Sequence, residues 1–228
     1  MISQPIAITS IQERIKQIVG LLEREYGVSE WQPHNDPVSV LVQTILSQNT
    51  SDTNSRPSFH SLRACFHKWE DVAEADVDAI ARCISSGGLG NIKARRIKRS
   101  LNEIIRERGR LELDFLKQLS LSEAEDWLLG LPGVGEKTAR VVLLFSLGMP
   151  ALPVDTHVWR VTKRLGLINS KASLHEAHRI LGEIVPPAYV YQFHVLMIEH
   201  GRRTCRARNP NCPGCVLRDI CPSSLLYS

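Results

Sequence analysis

The amino-acid sequence predicts an all-α protein. Apolar residues recur at helical spacing nearly throughout, helix start signals stand ahead of them, and no stretch shows the period-two alternation of a half-buried strand. Ser10-x-x-Glu13 reads as a capping box, followed by Ile11, Ile15, Ile18 and Leu22 on one face. Asp36-Pro37 reads as an N-cap with proline in the first helical position, and Val38, Leu41, Val42, Ile45 and Leu46 line the face that follows. Val77, Ile80, Ala81 and Ile84 form a further stripe ended by Gly87-Gly88. Ile97, Leu101, Ile104 and Ile105 form the next, ended by Gly109. Two more capping boxes, Ser122-x-x-Glu125 and Ser173-x-x-Glu176, open short helices. Val141 to Leu147 is apolar almost all round, which places that helix inside the molecule.

At 228 residues the chain can bury a sizeable core, as one large domain or two small ones. No apolar run approaches the ~20 residues that span a membrane. The start, "MISQPIAITSIQERI", lacks the basic-then-apolar pattern of a secretory signal, so a cytoplasmic protein without a membrane partner is expected. The net charge of +4 is too mild to establish a polyanionic partner by itself. There is no internal repeat, low-complexity segment or evident linker, so two lobes, if present, would be compact and could combine segments from both chain ends.

Six cysteines are unevenly placed: Cys65 and Cys83 are isolated, while Cys205, Cys212, Cys215 and Cys221 follow the spacing C-x6-C-x2-C-x5-C. In a reducing compartment a disulfide framework is disfavoured and a metal site favoured. Four thiolates can close a shell around one metal centre, and the spacing admits zinc or an iron–sulfur cluster equally. Every ligand comes from the protein, which marks the site as structural. Arg206 and Arg208 lie inside this loop, with Arg202 and Arg203 just before it, an arrangement suited to holding phosphates. A merely solvated basic loop is the plain alternative.

Ser122 to Leu129 reads as a helix capped by Gly130, and Leu131-Pro132-Gly133-Val134-Gly135 as a tight turn into a second helix near Glu136. Such a turn exposes backbone N–H groups at a helix N-terminus, where phosphate binds well, though it could equally be a simple connector. Lys137 stands in the first helical turn, the end that disfavours a cation, and partial desolvation would further favour the neutral amine a nucleophile needs. A phosphate contact or an ordinary surface lysine are the competing explanations. Asp155 follows Gly148, Pro150 and Pro153 and precedes Val158, Val161 and Leu165, the position of an N-cap.

These residues together resemble the endonuclease III family of helix-hairpin-helix DNA glycosylases. The match rests on "LPGVGEKTA", on "VDTHVWRV" with eighteen positions from Lys137 to Asp155, and on the cysteine spacing. "LVQTILSQNTSD", "GLGNIKA" and "HGRRTC" extend it over roughly residues 30 to 221. The resemblance implies a two-lobed fold with a DNA-binding cleft between the lobes. Residues 30–147 would form a six-helix barrel with the hairpin, and 1–29 would join 148–228 as a lobe holding a [4Fe–4S] cluster on the four cysteines. It implies a monomer acting on double-stranded DNA with a damaged base or an abasic site.

Lys137 corresponds to the family's nucleophile and Asp155 to the carboxylate that supports glycosidic cleavage. Gly133, Val134 and Gly135 would grip phosphate, with Arg206 and Arg208 as further DNA contacts. Leu89 takes the place of a wedge in the base stack. Gln48 or Asn49 would fill the gap left by the flipped base, the sequence leaving open which one. The wording "LSQNTSD" departs from the family's common "SAQAT", and Gly90 stands where many members have tyrosine. Both departures bear on base preference. Lys93, Arg95, Arg96, Lys98 and Arg99 follow the wedge loop as further phosphate candidates beside a plain solvated face.

The expected activity is a bifunctional glycosylase and abasic-site lyase for damaged, oxidised pyrimidines. A relative specialised for mispaired bases or pyrimidine dimers is the enzymatic alternative. A DNA-binding module without catalysis has no use for both Lys137 and Asp155, and an electron-transfer protein leaves the hairpin unexplained.

Overall fold

Local signals set most helix starts, and packing decides between them where two compete. The computed structural model describes residues 4–33, 36–50, 52–84 and 90–226, with backbone alone at 4–9 and 52–53. Its regular elements are helical, with no strand among the described residues. They separate into two units, Gln32–Met149 and a second that combines the segment up to Trp31 with Pro150 onward.

In the first unit α2 (Pro37–Ser47) begins at Asp36, whose carboxylate accepts from Ser39 N–H at 2.9 Å, and carries Pro37 where its missing N–H costs nothing. It is buried on nearly every side and packs against α3 (Asp52–Cys65), α6 (Gly90–Arg108) and α8 (Glu136–Leu147). Two short helices, α4 (Trp69–Glu74) and α5 (Val77–Cys83), lie on α6, and Trp69 Nε1 donates to Ser39 Oγ of α2 at 3.2 Å. Ile97, Leu101 and Ile104 face inward from α6, as their spacing predicts. The Val141–Leu147 stretch of α8 is largely buried, Val142 and Leu143 completely.

The second unit holds α1 (Gln4–Tyr26), α9 (Thr156–Arg164), α10 (Leu174–Ile184) and α11 (Val190–Arg203), with α11 packed on α9 and on α1. Ser173 and Glu176 form the expected reciprocal capping box of α10.

Three expectations are corrected. Helix α1 starts at Gln4, so Ser10 lies inside it and caps nothing; Pro5 sits in the first turn, where proline is tolerated, and nothing stops the helix from starting early. Helix α7 (Leu121–Leu129) is capped by Ser120 with Glu123 and not by Ser122 with Glu125. The earlier start turns Ala124 and Leu128 into the core and frees Glu125 to meet Arg140 of α8 at 2.5 Å. Cys65 and Cys83, isolated in sequence, are paired as a disulfide that joins the ends of α3 and α5. Gly87, Gly88 and the wedge candidate Leu89 lie outside the described residues.

The Glu125–Arg140 pair ties the two hairpin helices together with side chains only 17% and 14% exposed. Removing one partner strands a desolvated charge, so Arg140→Met should lower the unfolding free energy by about 2–4 kcal/mol. Adding Glu125→Leu should restore part of that loss, as read from urea unfolding curves. Additive losses would show that the pair does not couple.

Candidate functional site

The hairpin between α7 and α8 is a turn held from inside. Leu131 and Val134 point into the core, the latter 8% exposed, and Val134 N–H donates to Leu131 O at 3.1 Å. Val134 therefore offers a ligand no side chain, and its N–H is already used within the turn. Gly133 has φ 80°, and a Cβ there would lie 2.8 Å from Arg96 Cγ, so both conformation and space demand glycine. Gly135 is the N-cap of α8 and supplies no side-chain bond, while a Cβ built on it meets nothing within 4 Å. The leading N–H groups of α8 thus receive no side-chain cap, the arrangement that accepts an anion at a helix N-terminus. Lys137 stands exposed in this first turn, so the expected partial desolvation is not found.

Asp155 is the N-cap of α9. Its Oδ1 accepts from both His157 N–H and Val158 N–H at 2.8 Å, and neither cap bond uses Oδ2. The carboxylate is half-buried. One carboxylate oxygen thus does all the capping.

The four cysteines line one cavity together with Arg164, His200 and Leu217. Arg164 Nη1 donates to Cys205 Sγ at 3.3 Å, and Leu217 N–H to Cys215 Sγ at 3.4 Å. Donors aimed at sulfur suit thiolate ligands. Burial pushes the Cys215 thiol up to about 11, with Cys205, Cys221 and Cys212 adding to the rise, and burial also raises Cys221. Loading a metal centre here would therefore release protons. Among the described residues no three His, Cys, Asp or Glu side chains converge as a single-ion site. What the structure gives is four cysteine side chains around one cavity, with hydrogen-bond donors directed at two of their sulfurs.

The loop is fastened by arginines that the sequence did not single out. Arg160 Nε donates to Cys205 O at 3.1 Å and its Nη2 to Gly201 O at 2.8 Å. Arg164 bonds the carbonyls of Arg206 and Ala207, and Arg14 reaches Leu165 O at 2.5 Å and Ile220 O at 3.2 Å. The i, i+4 spacing of Arg160 and Arg164 on α9 was the available signal. Arg206 and Arg208 remain exposed on the loop.

The basic run of α6 divides. Lys93 is 2% exposed and is no phosphate contact, contrary to expectation; its Nζ donates to Leu46 O at 2.6 Å. Lys98 caps α4 through Ala75 O at 2.6 Å, and Arg95 and Arg99 are exposed. Gln48 and Asn49 also part: the Gln48 amide is bonded within its unit, and Asn49 is exposed.

Against known proteins, residues 42–187 match the family described as HhH-GPD superfamily base excision DNA repair protein. A putative DNA glycosylase of Arabidopsis thaliana is 40% identical over 162 residues, covering 71% of this chain and 55% of that protein. An endonuclease III of Sulfolobus acidocaldarius is 34% identical over 185 residues, 80% of each chain. A solved non-covalent endonuclease III–DNA complex superposes with a TM-score of 0.80 at 29% identity, covering 94% of this chain and 97% of the other.

The cap geometry of Asp155 has a direct consequence. Asp155→Asn keeps an acceptor for the α9 amides and should change unfolding free energy by no more than about 0.5 kcal/mol, whereas Asp155→Ala should cost about 1 kcal/mol. Equal losses in thermal denaturation would show that the carboxylate charge, and not the cap, holds the helix start.

Proposed function

The chain belongs to the HhH-GPD superfamily of base excision DNA repair proteins, and on that premise we propose that this endonuclease III-like DNA glycosylase is bifunctional. In this reading it excises oxidised pyrimidines from duplex DNA and nicks the strand at the resulting abasic site. The observation that carries it is Lys137, exposed in the first turn of a helix whose leading amides have no side-chain cap. The hairpin amides hold a backbone phosphate, which positions the strand without reading sequence. The target nucleotide must leave the stack for its sugar to be reached.

The lone pair of Lys137 Nζ attacks C1′, the bond from C1′ to the base breaks, and the base departs with its electrons and takes up a proton. Loss of the amine's proton and opening of the sugar give a Schiff base. Removal of a C2′ proton then expels the 3′ phosphate by β-elimination. Asp155, through the oxygen not used in capping, stabilises the positive character that builds on the sugar as the base leaves. Cys205, Cys212, Cys215 and Cys221 would hold a [4Fe–4S] cluster, whose contribution is to order the loop that offers Arg206 and Arg208 to phosphate. No helix among the described residues is long and apolar enough to cross a membrane.

Two experiments test this. On duplexes with a single oxidised pyrimidine, Asp155→Asn should slow base release by about 100-fold or more yet spare more of the nicking at a preformed abasic site. Lys137→Gln should abolish nicking on both. Wild-type release of mispaired normal bases in preference to oxidised ones would reassign the substrate. Separately, protein purified without oxygen should be yellow-brown with about four irons per chain, and stoichiometric zinc would refute the cluster.

A further inference from the structure

Helix α2 ends in a turn, Ser47 to Thr50, that needs a particular residue at its apex. Thr50 N–H donates to Ser47 O at 3.2 Å, Gln48 has φ −60° and ψ 125°, and Asn49 has φ 52°. This is a type II turn, whose third position favours glycine or asparagine because it lies in the left-handed region. The residues flanking the apex are all fastened. Lys93 bonds Leu46 O and Thr50 Oγ1 from below. Gln48 Oε1 accepts from Arg96 Nη1 at 2.7 Å, while its Nε2 donates to Gly133 O at 3.0 Å and to Thr138 Oγ1 at 3.2 Å. One amide thereby joins the turn, α6 and the hairpin, and Arg96 in turn packs on Gly133.

We propose that Gln48 is a positioning residue that locks this turn to the hairpin, so that Asn49 meets the unpaired base opposite the lesion in a register set by the hairpin's hold on DNA. The proposal rests on the glycosylase reading and deepens it, by placing opposite-base discrimination under the control of a bond between two elements. A carboxamide is the group the position requires, because it offers an acceptor to Arg96 and donors to Gly133 O and Thr138 at once. Asn49 presents a carboxamide to the hydrogen-bonding edge of the orphan base, and a pairing of that kind is worth enough to separate one base from another.

The test uses duplexes carrying a tetrahydrofuran abasic analogue opposite each of the four bases, with affinity measured for every variant. Wild type should show a spread of about fivefold or more between best and worst opposite base. Asn49→Gly keeps the turn, loses the side chain and should collapse the spread. Gln48→Met should collapse it too, although Asn49 is intact, and Gln48→Glu, which keeps the Arg96 bond but has no donor for Gly133 O, should fall between. Amide hydrogen exchange of the free protein supplies a measurement independent of DNA: Gln48→Met should speed exchange across Leu46–Thr50 by about tenfold, leaving α10 unchanged. An unchanged spread in Gln48→Met, or unchanged exchange at the turn, overturns the proposal, as does a spread that survives Asn49→Gly. Failure of the glycosylase reading is separately visible, as a wild type that binds the abasic analogue no better than intact duplex.

Discussion

Helix α8 begins without a side-chain cap, and much of its unit is arranged to hold that beginning in place. A capped start would satisfy the amides internally and leave nothing for a ligand. With glycine at 135, the turn must be secured from its other side. Ser100 Oγ donates to Pro132 O at 2.6 Å, the Gln48 amide binds the next carbonyl along, and Glu125 with Arg140 clamps the two helices. Arg96 fills the space beside Gly133 that a side chain there would need. The outcome is a turn braced from several sides, leading into a helix start that Gly135 does not cap and that carries an exposed lysine.

The two basic runs obey one rule. In α6, Lys93, Arg96 and Lys98 turn toward carbonyls or side chains of their own unit, and Arg95 and Arg99 stay exposed. Around the cysteine loop, Arg14, Arg160 and Arg164 bind backbone carbonyls, and Arg206 and Arg208 stay outside. Inward cations shape the loops, so the outward ones are presented on a fixed frame. A charge run is therefore two populations, and only burial separates them.

That distinction explains what could be read from the chain alone. The all-α class, the start of α2 at Asp36-Pro37, the start of α10 at Ser173 and the uncapped start of α8 were legible, because each signal is local and has no nearby rival. Ser120 and Ser122 offer rival caps two residues apart, and the choice falls to the core contacts of Ala124 and Leu128, which no cap pattern encodes. Lys93 looked like its basic neighbours because its partners, Leu46 and Thr50, lie more than forty residues away in sequence. The pairing of Cys65 with Cys83 and the triple bonding of Gln48 are tertiary events of the same kind. In the motif "LSQNTSD" the two amides were equivalent on paper; the type II turn separates them, since only its third position requires a left-handed residue.

The claim at the centre of this account is that the lysine following the glycine turn makes the covalent bond to the sugar. Reduction with borohydride during reaction on an abasic-site duplex, followed by nuclease and trypsin digestion and mass spectrometry, tests it most directly. The account predicts a deoxyribose remnant on the peptide Gln118–Arg140, with cleavage blocked at Lys137. A remnant on the N-terminal amine or on another lysine would contradict it.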